Sequence, residues 1–359
     1  MAVGLILDYP FQRKLFYASG RHWLFYSDGT NFVYKTSVGG VVWSDSTTIR
    51  ACVASDYISV WLDDTSIHYV CAVASKIFYR KGTLNSDGTI SWDAIEQVVR
   101  PAVAGIDYAY PSITVDSDGY PWIGYRRHDA GIPEYCPYVI KSSTRDGTWT
   151  TPGGWPERLS GINDRDWLVL VLPLTALKMY VIYSRLNQTI KGKLYDGGWG
   201  VEETCTTNTM GLGAFSAVSE NDDVHLVFRY AEDPVAVLYY VKRDYSSGWG
   251  SEVKLKDLGR LNAYFEISID DDTGYLYVFL LDYINDKIQF IKCSGGAWGE
   301  WFDFVLDAHF TVTTYTPIVS YKKYGRTIDV AWLSGAAEVV RFAVFTILPT
   351  VLKGSVHAL

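Results

Sequence analysis

The chain has 359 residues, 48% of them hydrophobic and 20% charged, which is enough apolar material for a large core and excludes wholesale disorder. The net charge of −8 comes without any Lys/Arg-rich run, so general affinity for nucleic acid is not expected. No apolar run approaches the roughly 20 residues that span a bilayer, so membrane insertion is not expected either.

The opening MAVGLILDYPFQRK lacks the basic segment and cleavage site of a secretory leader. The expectation is a chain used without such export, or one whose leader has been removed; the compartment stays open, with an extracellular or virion-surface place among the expectations. Cys52, Cys71, Cys136, Cys205 and Cys293 are scattered and odd in number, without a CxxC pair. They predict buried free thiols rather than a disulfide framework or a zinc site. No metal and no cofactor is expected.

Helical periodicity is almost absent. Short alternating segments separated by Gly, Asp, Asn and Ser dominate, which is the all-β pattern. The clearest unit is YPSITVDSDGYPWIGYRR, residues 110–127, a hairpin whose Asp-Ser-Asp-Gly turn tolerates positive φ. Its second strand has counterparts at residues 22–27, 67–74, 121–126, 178–183, 224–230, 275–281 and 327–333, with centres 46 to 58 residues apart. A period near 50 with four short strands per unit predicts a seven-bladed β-propeller of four-stranded antiparallel blades. The blades fall at about 11–50, 51–100, 108–160, 164–206, 212–257, 262–306 and 314–352, all in one domain covering residues 1–359. Fourth strands are expected to begin at Trp43, Trp92, Trp149, Trp199, Trp249 and Trp298, with the rings packing between neighbouring blades. The last unit has no such Trp. The apolar stretch within residues 2–8 is therefore expected to close the ring as its outer strand, with residues 348–352 as the alternative.

A four-stranded meander puts the connections from strand 2 to 3 and from strand 4 to the next strand 1 on one face. The other turns are short and Gly-rich, so a site belongs on the more varied face. That face is expected to carry Arg126, Arg127, His128, Asp129 and Tyr135 from the third unit, Arg185 from the fourth, and Arg229 and Tyr230 from the fifth. Tyr108 and Arg165 join them from connections between units. Guanidinium groups suit a carboxylate or sulfate, and Tyr rings suit sugar faces. The competing reading is a solvated rim of mutually paired charges. No catalytic set is assigned: the six His form no metal constellation, and no nucleophile-elbow, HExxH, P-loop or dinucleotide motif stands in context.

The blade rhythm, the VDSDGYPWIGY hairpin and the segments KSSTRDGTW, YDGGWGVEE and SSGWGSEVKL resemble the sialidase-like, BNR-repeat propellers. The turn Ser143–Trp149 is similar to that family's Asp-box but has Arg145 where the box has Asp. The resemblance implies the fold. Family enzymes hold a substrate carboxylate with three arginines and use a Tyr–Glu nucleophile pair, and neither set aligns here. The expectation is a non-enzymatic binding or structural propeller that recognises a glycan or acidic saccharide, of an adhesion or virion-surface kind and able to join a larger complex. The alternative is a carbohydrate-active enzyme, hydrolase or lyase, acting on an acidic glycan.

Overall fold

The computed structural model describes residues 9–355 except 10, 54, 94, 133, 150–152, 164–166, 186, 232–235, 259–263, 283, 307, 309–317, 335–338 and 348–352. Every described element is a β-strand, and no helix among them is long and apolar enough to cross a membrane. Inner strands such as Arg21–Ser27 and Met179–Ser184 bury both faces between sheets, while outer strands such as Thr47–Ala51 keep exposed positions.

Strands pair antiparallel in chain order. The first sheet joins Leu15–Ala18, Arg21–Ser27, Asn31–Ser37 and Thr47–Ala51. The second joins Tyr57–Asp63, Ser66–Val73 and Lys76–Leu84, whose outer edge takes both Ile90–Trp92 and Gln97–Arg100. Ile106–Val115, Pro121–Asp129, Glu134–Lys141 and Glu157–Arg158 make the third. An eight-stranded sheet follows, pivoting on the 18-residue strand Glu203–Glu220. The early part of that strand pairs with Thr189–Tyr195 and the later part with Asp223–Ala231, across a register shift between Met210 and Phe215. Tyr264–Asp270 opens the penultimate sheet and Ile318–Val319 the last, each again of four strands.

Successive sheets pack face to face. Phe16, Trp23 and Phe25 of the first sheet meet Ile58, Val60 and Tyr69 of the second. Comparable clusters follow at each step along the chain, up to Phe279 and Phe290 against Val330 and Phe345. Leu15, Leu24 and Val33 of the first sheet then pack on Ile318, Ala331 and Phe342 of the last, so the series of sheets returns on itself.

The Trp side chains sit at these seams. Trp43 packs edge-on to Phe342 (4.9 Å), Trp149 to Tyr79 (5.3 Å) and Trp298 to Tyr240 (4.9 Å), each reaching the neighbouring sheet, while Trp249 packs on Tyr180 (5.9 Å) within the eight-stranded sheet. Each such aromatic pair adds about 0.5–1.5 kcal/mol beyond its buried area. The expectation that outer strands begin at these Trp holds at Trp298, which opens Ala297–Val305. It is corrected in the first and third sheets, whose outer strands start at Thr47 and Glu157, well past Trp43 and Trp149.

Residues 3–7 and 348–352, the two candidates for the closing strand, lie outside the described residues. The outer strand of the last sheet is Lys353–Ser355, pairing with Val344–Thr346 from the C-terminal side.

Residues ahead of the first strand cross the inner edges of the sheets. Phe11 stacks on Phe215 at 5.6 Å, and Gln12 Nε2 donates to the Pro111 carbonyl at 3.0 Å. The Arg13 carbonyl accepts from the Val60 amide at 2.8 Å. Arg13 Nη1 donates to Glu266 at 3.0 Å and Nη2 to the Ala217 carbonyl. This short segment fills the centre of the molecule. Arg13 also lines a cavity of about 200 Å³ with Trp61, Val218, Ile269 and Tyr321.

Candidate functional site

The third sheet builds the candidate site. Its first strand, Ile106–Val115, breaks register between Ala109 and Ser112, and Tyr110 there has φ 54°. A non-Gly residue in the left-handed region carries strain of about 1–3 kcal/mol, which surrounding contacts must hold in place. The Tyr110 ring supplies them: it lies 5.0 Å from Tyr9 and 4.6 Å from Tyr57, with Tyr9 and Tyr57 themselves 6.0 Å apart. Three half-buried tyrosines from three separate parts of the chain thus form one cluster.

Arg126 covers that cluster. Its guanidinium carbon sits 4.6 Å from the Tyr110 ring centre and 5.3 Å from that of Tyr135, between two aromatic faces. His128 stacks on the other part of the same hairpin, 3.9 Å from Tyr135 and within 8° of parallel. The long pairing of Pro121–Asp129 with Glu134–Lys141 sets this up, because His128 and Tyr135 are direct cross-strand partners. Cation–π contacts of this kind contribute about 0.5–2 kcal/mol and fix the plane of the guanidinium.

The carboxylates nearby are engaged. Asp129 accepts from Arg127 at 2.6 Å and from the Gly131 amide at 3.0 Å. Glu134 pairs with Arg158, and Asp107 accepts from Ser75 Oγ at 3.2 Å. Burial opposes the Arg127 charge, but the bond to Asp129 outweighs it and holds the pKa above the ordinary arginine value.

The expected residues separate on this evidence. Arg126, Arg127, His128, Asp129 and Tyr135 come together on one hairpin, and all are half-buried. Arg185 lies elsewhere, 5.8 Å from the Trp167 ring. Tyr230 is half-buried and packs edge-on to Tyr239 at 6.4 Å. Tyr108 is buried between the second and third sheets against Tyr125, and Arg229 is 4% exposed, with burial pulling its pKa below the ordinary value. Both fall on inward positions of their strands. Arg165 lies outside the described residues. Tyr9 and Tyr57 were not expected at the site; the only sequence signal is the aromatic pair Tyr9 and Phe11 flanking a proline.

Two of the other described histidines are engaged with tyrosines inside the sheets. His68 and His225 each use Nδ1 on a Tyr hydroxyl, Tyr79 and Tyr240, at 2.8 Å. No group of three or more potential metal ligands occurs among the described residues.

The sequence matches no protein-family model and no curated protein. Its fold is similar to solved structures. AofleA from Arthrobotrys oligospora superposes with a TM-score of 0.51 at 12% identity, covering 85% of this chain and 86% of that one. A mutant of Aleuria aurantia lectin in complex with alpha-methyl-L-fucoside gives 0.50 at 12% identity, covering 86% and 96%. Penicillium chrysogenum alpha-L-arabinanase complexed with arabinobiose gives 0.50 at 15% identity, covering 78% and 90%. The shared architecture is a β-propeller, and at these identities the likeness is one of fold.

Proposed function

We propose that this chain is a non-enzymatic glycan-binding propeller whose binding mouth is the Arg126–Tyr135–His128 face. The carrying observation is the Arg126 guanidinium held between the Tyr110 and Tyr135 rings, beside a third and fourth tyrosine. Aromatic faces suit the apolar side of a sugar ring, and a preoriented guanidinium suits a carboxylate, sulfate or ring hydroxyl. Likeness in fold to a lectin seen with a fucoside supports the reading. The described carboxylates of the face are already bound to cations or hydroxyls, which speaks for binding rather than for the paired acid and base of hydrolysis.

The eight-stranded sheet reads as two blades sharing one long strand, which makes a single domain of seven blades closed by first-to-last packing. The sialidase-like relationship rests on the turn at residues 143–149, where Asp146, one residue past the position the box gives to Asp, accepts from the Thr144 and Thr148 hydroxyls. A surface role, in adhesion or on a virion, within a larger complex, follows from the same binding reading.

A glycan array run beside activity assays on sialosides and uronate polymers tests the proposal. Binding without turnover, weakened about tenfold or more in Arg126→Ala and Tyr135→Ala, is the expected outcome. Turnover that disappears in Arg126→Ala would replace this reading with the enzymatic one.

A further inference from the structure

Away from the mouth, the seam between the first and last sheets holds a cleft of about 380 Å³, within the size range of small-molecule sites. Tyr17, Val38, Tyr324 and Val344 supply its aromatic and aliphatic walls, and His22 and Arg326 supply its polar groups. His22 is 5% exposed, and its ring sits edge-on to Tyr17 at 4.8 Å and to Phe342 at 5.1 Å. Its Nδ1 is committed to Asp329 Oδ2 of the last sheet at 2.6 Å. That bond fixes the ring orientation and leaves Nε2 as the nitrogen available to the cleft. Arg326, which also lines the cleft, is exposed and forms no ion pair among the described residues.

We propose that this cleft binds a small carboxylate with a single-ring apolar body. The carboxylate would be held by the Arg326 guanidinium and by His22 Nε2–H, and the ring would lie against Tyr17, Val38 and Val344. Burial pushes the Asp329 carboxyl up, with His22 working against that shift. Around His22 stand Asp329 from the last sheet, Tyr324 and Arg326 from the turn before Thr327, and Tyr17 from its own sheet.

Calorimetric titration of the full chain with benzoate tests this. The expected result is one-to-one binding, with benzamide failing to bind. Arg326→Ala, at an exposed position, weakens benzoate about tenfold, and Val38→Trp blocks the cleft without removing either polar group. Arg126→Ala leaves benzoate binding unchanged, which separates this site from the mouth. No benzoate binding, or binding indifferent to Arg326→Ala and to Val38→Trp, would overturn the proposal.

Discussion

Arg13 and Glu266 meet at 3.0 Å in the middle of the molecule, 253 residues apart in sequence and 3% and 1% exposed. The pair ties the segment ahead of the first strand to the inner strand of the penultimate sheet. The second Glu266 oxygen accepts from the Val319 amide at 2.5 Å, which extends the link to the last sheet. Removing one member of a buried pair strands the other, so Arg13→Met is expected to cost about 3–5 kcal/mol by urea unfolding above about pH 8, where Glu266 is ionised. Arg13→Met combined with Glu266→Gln should recover part of that loss, because no charge is then left uncompensated. Additive losses in the double variant would show that the two side chains act separately.

The same pair sets a pH dependence. Burial pushes the Glu266 pKa up to about 8, with Arg13 and the Val319 amide pulling the other way. The unfolded carboxyl ionises near about 4.3. Between those values the folded state holds more protons, so stability falls as pH rises toward about 8 and levels off above it. Urea midpoints measured in this window should show the slope, and Glu266→Gln should flatten it.

The legible and illegible parts of the sequence divide along physical lines. Strands such as Arg21–Ser27 and Tyr275–Asp282 are readable because each alternates side chains between two seams and ends in a Gly or Asp turn. The hairpin carrying Arg126, His128 and Tyr135 is readable for the same reason. Tyr108 is not, because the register shift at Ala109–Ser112 changes which side chains face inward, and that shift has no residue signature short of Tyr110 adopting a positive φ. Arg13 carries no periodic signal at all. It belongs to a segment that hydrogen-bonds to several sheets without pairing as a strand to any, so only tertiary structure identifies its partners.

Two buried histidines predict acid sensitivity. Burial holds the His68 pKa down at about 3 and that of His225 at about 4, with Lys81 and Lys242 adding to the effect. An unfolded imidazole takes its proton near about 6.5. As pH falls below that point the unfolded chain gains protons that these folded rings refuse, so stability drops progressively down to about pH 4 and below. A His68→Gln/His225→Gln variant should show a shallower decline of the denaturation midpoint between about pH 6 and about pH 4. An unchanged decline would mean that carboxylates carry the whole effect.

Tyr180 anchors a polar network within the eight-stranded sheet. Its hydroxyl accepts from Trp249 Nε1 at 2.8 Å and donates to Glu203 at 3.0 Å, while Arg243 clamps the same carboxylate through two bonds of 2.8 Å. Tyr180→Phe keeps the ring but leaves the indole N–H without its acceptor, at an expected cost of about 1–3 kcal/mol. Adding Trp249→Phe should then cost less than it does alone, because its hydrogen bond is already gone. Thermal unfolding of the two single variants and the double variant closes that cycle.

Two glycines separate backbone strain from steric exclusion. Gly197 has φ 67° with open space where a Cβ would stand, so Gly197→Ala should cost only the left-handed penalty of about 1–2 kcal/mol. Gly147 has φ 95°, and a Cβ there would lie 2.0 Å from a Tyr79 ring carbon. That ring is fully buried and is held by Trp149 at 5.3 Å and by His68 at 2.8 Å from its hydroxyl, so it has nowhere to yield. Gly147→Ala should therefore cost clearly more, about 3 kcal/mol or above. Tyr79→Phe should not rescue it, since the clash is with ring carbons. Tyr79→Leu should return part of the loss by withdrawing those atoms, and equal midpoints for Gly147→Ala and Gly197→Ala would refute the packing at this seam.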